Sequence, residues 1–105
     1  MFGLFKTKKA PEDAAASRDF HMEVADVFSI RGRGTVVTGI VRRGSVQVGD
    51  EILVVRPSGQ FRARVEGLEG YREMPAVARE GKNVGVLLQG VAHDQVAPGD
   101  LLTGL

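Results

Sequence analysis

From Phe20 onward apolar and polar residues take turns: Phe20, Met22 and Val24 alternate with His21, Glu23 and Ala25. Side chains of a strand point to opposite faces in succession, so this period of two predicts a first strand over about 20–29 with one buried side. Residues 35–42, rich in Val, Thr and Ile, predict a second strand in which Gly39 marks a bulge or a close approach. Residues 51–56 form the third. The turn Pro57-Ser58-Gly59 follows, where proline sets φ and glycine supplies φ > 0. Residues 60–69 alternate again through Phe61, Ala63, Val65 and Leu68 and pair back as the fourth strand. Residues 74–82, interrupted by Pro75 and Glu80-Gly81, are expected to be a connector. The nearly continuous apolar run at 83–89 suits a fully buried strand, and 100–103 closes the chain with a short one. Short strands at regular spacing imply an all-β sandwich or barrel.

Glycine supplies the punctuation. Arg31-Gly32-Arg33-Gly34 separates the first two strands, Gly44 and Gly49-Asp50 mark further turns, and the pattern from 26 to 51 is a β-meander. VGDEILVV and PGDLLTGL share one grammar, in which Gly-Asp opens a strand; this predicts shared turn chemistry rather than a tandem repeat.

A chain of 105 residues has room for one such domain, at 19–105, and a flexible tail at 1–18. Phe2, Leu4 and Phe5 beside Lys6, Lys8 and Lys9 allow residues 2–9 a peripheral touch on an anionic membrane, but a plain terminus is the expectation. The charges follow the apolar residues, which is the wrong order for a signal peptide. Without cysteine there is neither a disulfide nor a thiolate metal site. The net charge of +1 divides into +2 on residues 1–18 and −1 on the rest, so the barrel lacks the basic surplus of a dedicated nucleic-acid binder. All its basic residues except Lys82 are arginine, which favours planar, bidentate contacts over diffuse attraction.

The chemistry of catalysis is not indicated. A phosphate-cradling loop needs G-x-x-x-x-G-K-[ST], but Gly81-Lys82 is followed by Asn83 and preceded at the required spacing by Ala76. Gly32-Arg33-Gly34 sits between two strands, whereas a dinucleotide loop leads from strand to helix. His21 and His93 are the only imidazoles, and no serine lies in a nucleophile motif. The chain is expected to be a binding protein, not an enzyme, with no metal, no cofactor and no GTP.

The blocks GRGTVVTG at 32–39, Glu69-x-x-Arg72, NVGVLL at 83–88 and Pro98-Gly99-Asp100-Leu101-Leu102 resemble, in order and spacing, the second domain of elongation factor Tu and related translational GTPases. The resemblance covers about 19–103. It implies a small, closed, approximately six-stranded antiparallel β-barrel, here free-standing, with a cytoplasmic role in protein biosynthesis. It also implies RNA binding, since the family's barrel receives the terminal adenosine of tRNA. The matching positions are Ile30, Gly32, Val36, Glu69 and Leu87, joined by Arg33 in the turn and by Arg72 near the acceptor-end backbone. Asp26, Phe28, Tyr71 and Asn83 match the neighbourhood of the attached amino acid. The plain alternative makes Ile30, Val36 and Leu87 core residues and Gly32 a turn glycine. Arg31 stands where the family commonly has proline, and Gln89 where it commonly has arginine. The family's site also draws on a GTPase domain and a third barrel, so tight tRNA binding by this chain alone is not expected. Two partner classes remain open: the tRNA acceptor end or ribosomal components, and a GTPase-like protein docked without RNA.

Overall fold

The computed structural model describes residues 19–70 and 72–105. The tail expected at 1–18, with its membrane-touching residues 2–9, lies outside them, as does Tyr71. The described strands are β1 (His21–Glu23), β2 (Asp26–Ile30), β3 (Gly34–Arg43), β4 (Ser45–Gln47), β5 (Glu51–Arg56), β6 (Gly59–Glu69), β7 (Val77–Arg79), β8 (Asn83–Gln89) and β9 (Leu101–Gly104). Among the described residues one 3-10 turn, His93–Gln95, precedes β9. No helix among the described residues is long and apolar enough to cross a membrane.

Strands β1, β9, β5, β6, β8 and β3 are neighbours in that order, all antiparallel, and β1 also pairs with β3. That last pairing closes a six-stranded barrel of the expected kind. Its interior is filled by the inward set of each strand, among them Met22, Val37, Val41, Ile52, Val54, Val65, Leu68, Val86, Leu88 and Leu102. Removing such a side chain from water contributes about 1.5–3 kcal/mol. Alternation therefore decides both the strands and their inner faces.

The first expected strand is two. Met22 and Val24 point inward, but the next inward residue is Val27, so the parity slips and the strand breaks at Val24-Ala25. There the Val24 amide donates to the Asp100 carbonyl at 2.8 Å and the Ala25 amide to the Thr38 carbonyl at 2.7 Å. The break lets one edge of β3 serve both pieces, Met22 opposite Val41 and Asp26 opposite Thr38. Gly39 sits between those contacts. A Cβ there would collide with the Glu23 carbonyl oxygen and crowd the Met22 side chain at 3.3 Å, so Gly39 is the close approach of the two alternatives.

A second slip occurs in β6. Ladder pairing with β8 jumps between Val65 and Gly67, a bulge that turns Leu68 inward and Glu69 outward. The connector expected at 74–82 holds β7, which pairs with the unanticipated β4 as a separate two-stranded sheet. Three-residue strands offer too little length for a period to show.

The two Gly-Asp sequences make matching turns. The Asp50 carboxylate accepts from the Gln47 amide at 3.0 Å and the Asp100 carboxylate from the Ala97 amide at 2.8 Å. The reverse backbone bonds measure 3.1 Å in both, and Gly49 and Gly99 have φ of 97° and 96°. Asp100 is buried and also lies 2.9 Å from Arg56 Nε, an ion-pair contact whose N–H direction falls short of a hydrogen bond.

Candidate nucleic-acid interface

Directly paired residues of antiparallel strands share a face, so register alone reveals what β2, β3, β8 and β6 present outward. One row runs Phe28, Val36, Leu87, Gly67. The next, two residues along each strand, runs Asp26, Thr38, Gly85, Glu69. Ile30 opposite Gly34 extends the surface at one end, and Ile40 opposite Asn83 at the other. Asp26, Phe28, Ile30, Val36, Glu69, Asn83 and Leu87 are thereby brought onto one outer face.

Val36 and Leu87 are each 5% exposed, yet neither belongs to the interior cluster. They sink into slots left by glycine. The Leu87 Cδ1 and Cδ2 atoms lie 3.8 and 3.7 Å from where Cβ atoms of Gly34 and Gly67 would stand, and Val36 Cγ1 lies 3.2 Å from the corresponding point on Gly85. A Cβ on Gly85 would press on Val36, which would have to give by a few tenths of an ångström, whereas on Gly34 and Gly67 it would reach ordinary van der Waals contact with Leu87. Phe28 and Ile30, by contrast, remain 52% and 37% exposed. The face therefore has a flat apolar floor with two projecting apolar residues at its β2 margin.

Polar groups border the floor. Asp26 and Glu69 close the two ends of one row, both exposed. Beside Glu69, an open depression of about 280 Å³ is lined by Thr38, Glu69, Gly70, Asn83, Val84 and Gly85. Asn83 also borders a hollow of about 410 Å³ shared with Asp26 and Thr38, and another of about 360 Å³ shared with Gly70 and Glu73.

Gly32, Arg33 and Arg72 lie in turns at the margins. The Arg33 amide donates to the Ile30 carbonyl at 2.9 Å, closing a turn in which Gly32 has φ 78°. A Cβ on Gly32 would meet nothing within 4 Å, so its backbone conformation, not crowding, calls for glycine. Arg72 is in a tight turn closed by the Gly70 amide on the Glu73 carbonyl at 2.9 Å. Its φ of 61° is the left-handed region, which costs a non-glycine residue free energy and often accompanies a functional constraint. Tyr71, the remaining candidate, lies outside the described residues.

Sequence reasoning missed the floor itself. Gly34, Gly67 and Gly85 were visible as glycines inside strands, which signal a close backbone approach, and Thr38 follows from its position opposite Asp26. The surface offers an apolar plane for a flat ring, carboxylates and a carboxamide for hydroxyl or amide donors, and guanidinium groups at two bordering turns for anionic oxygens.

The family model for elongation factor Tu domain 2 matches residues 34–103. The match includes Val36, Glu69, Tyr71, Arg72, Asn83 and Leu87 and starts just after β2 and the Arg33 turn. A closed antiparallel barrel with that match leaves one assignment: the chain belongs to the elongation factor Tu domain 2 family.

Proposed function

We propose that the chain is a non-catalytic binding module of the cytoplasmic translation machinery whose glycine-floored face receives the acceptor end of a tRNA. The observation that carries this reading is the convergence of Val36, Leu87, Asp26, Glu69 and Asn83 on one outer surface, with apolar residues buried outside the core. In this reading the terminal base lies over Val36 and Leu87 beside Ile30. Glu69 accepts from the nucleoside, and Arg33 and Arg72 meet phosphate or ribose oxygens. Asp26, Phe28, Tyr71 and Asn83 surround the attached amino acid. These residues hold no P-loop motif, so the role proposed for this barrel is binding rather than nucleotide hydrolysis.

Titration of the chain with aminoacylated tRNA and with acceptor-end oligonucleotides, followed by fluorescence anisotropy, tests this. Binding is expected at roughly tens of micromolar in low salt, weakening as salt rises because cations meet phosphates. Glu69→Ala with Arg72→Ala is expected to reduce it about tenfold or more, the equivalent of about 1.4 kcal/mol. Binding unaffected by that pair, or no salt-sensitive binding at all, overturns the proposal.

A second reading has one observation in its favour. Phe28 and Ile30 are exposed on a barrel without basic surplus, a surface suited to a protein partner such as a GTPase-like domain. Association of that kind would survive ribonuclease treatment and depend on Phe28 rather than Arg72.

A further inference from the structure

Strand β2 ends the seven-strand order, so one of its edges has no strand beside it. Beyond its ladder to β3, no backbone hydrogen bond reaches Val27, Phe28 or Ser29 among the described residues. Exposed edges are usually guarded by lysine, proline, a bulge or an inward-pointing charge. Residues Asp26–Ile30 read DVFSI, with none of those devices in the strand itself, and the His93–Gln95 turn that packs against β2 gives it no backbone hydrogen bond. The strand instead exposes Phe28 and Ile30.

The charges around it are arranged by sequence direction. Asp26 stands at the start of β2, while Arg31 and Arg33 follow its end. A second copy laid antiparallel about Phe28 would place Phe28 against Phe28, and Asp26 of each copy beside Ile30 and Arg31 of the other. A parallel arrangement in register would set Asp26 against Asp26. Only the antiparallel one joins opposite charges at both ends while covering the two aromatic rings. We propose that β2 is a self-complementary edge through which two copies of this chain pair across a two-fold axis at Phe28, fusing their sheets. A strand pair of this length buries much less than the roughly 1,200 Å² of a stable interface, so the dimer is a weak, concentration-dependent one. This inference goes beyond the RNA-end reading and does not need it, since pairing requires no nucleic acid.

Sedimentation equilibrium of the full chain without RNA tests it. The weight-average mass is expected to climb from 11.3 kDa towards twice that value as concentration rises from about 20 µM to about 1 mM, the range of weak, transient interfaces. Concentration-dependent amide shifts are expected at 26–30. Asp26→Arg puts like charges at both ends and should weaken association about tenfold; adding Arg31→Asp should restore it, a rescue that a folding defect would not give. Phe28→Lys should leave a monomer with an otherwise unchanged amide spectrum. A mass fixed at 11.3 kDa throughout, or association indifferent to Asp26→Arg and Phe28→Lys, overturns the proposal; in the first case the edge is left to a foreign strand.

Discussion

The barrel wears two different coats. On the outside of the β5–β6 hairpin, Glu51 faces Arg64, Leu53 faces Arg62 and Val55 faces Gln60. Long side chains lie over that sheet: Arg62 approaches Glu51 at 3.6 Å, and Arg64 donates to the Gly49 carbonyl at 3.0 Å. On the outside of β3 and β8 the corresponding positions hold Gly34, Val36, Thr38, Gly85 and Leu87. The interior behind both is the same close-packed aliphatic cluster. The contrast teaches that burial and core membership are separate properties here: Leu87 and Leu88 are neighbours, 5% and 0% exposed, but only Leu88 belongs to the interior cluster.

The sharpest way to break that contrast is to set the sequence against the device that creates the boundary between the two coats. Strand β6 carries Arg62 and Arg64 before its bulge and Gly67 and Glu69 after it. Exchanging the two residues after the bulge, Leu68→Glu with Glu69→Leu, gives β6 the apolar spacing of a bulge-free strand, and with the bulge in place it turns a carboxylate into the core and a leucine outward. A loss of about 4 kcal/mol or more, enough to unfold many small domains, is expected in urea denaturation. Near-wild-type stability would mean that the bulge does not set the phase of the strand.

Truncating the two adjacent leucines sharpens the distinction directly. Leu88→Ala is expected to cost about 3–4 kcal/mol through lost contacts and a cavity, and Leu87→Ala only about 1–2 kcal/mol because its slot opens to solvent. Equal costs, measured by the same urea midpoints, would place Leu87 functionally in the core. The smallest effect is expected on the charged coat. Arg62→Ala should change stability by under about 0.5 kcal/mol, since its pairing with Glu51 is long and solvent-exposed.

How much of this was legible in the sequence depends on length and on parity. Strands such as Glu51–Arg56 and Asn83–Gln89 announced themselves because each carries enough residues for its pattern to be unambiguous. Ser45–Gln47 and Val77–Arg79 did not, because three residues have no measurable period and their pairing depends on a distant partner. The two interruptions that shape the outer face were written as parity slips, from Val24 to Val27 and from Val65 to Leu68. Each moves the apolar residue by three instead of two. The first slip sends Asp26, Phe28 and Ile30 outward, and the second does the same for Gly67 and Glu69.

Individual candidates were legible only through resemblance to the family. Nothing in the local sequence distinguishes Val36 from Val37, or Leu87 from Leu88; the opposite faces emerge only once the pairing Phe28–Val36–Leu87 is known. The left-handed backbone at Arg72 was equally hidden, since the type of residue argues against that conformation. Gly39 was flagged as an anomaly of its strand, and the carbonyl of Glu23 supplies the reason.

The paired turns at Gln47–Asp50 and Ala97–Asp100 have a consequence for how this barrel can be altered. Each holds its shape with bonds among its own four residues, drawing on the glycine at the third place and the aspartate at the fourth. The second place is valine in one and proline in the other, with the same hydrogen-bonding result. Such a corner is an interchangeable part, portable between sites because its specification is local. A lineage of these barrels can therefore lengthen, trade or recolour what surrounds its corners while the ring of strands keeps its register.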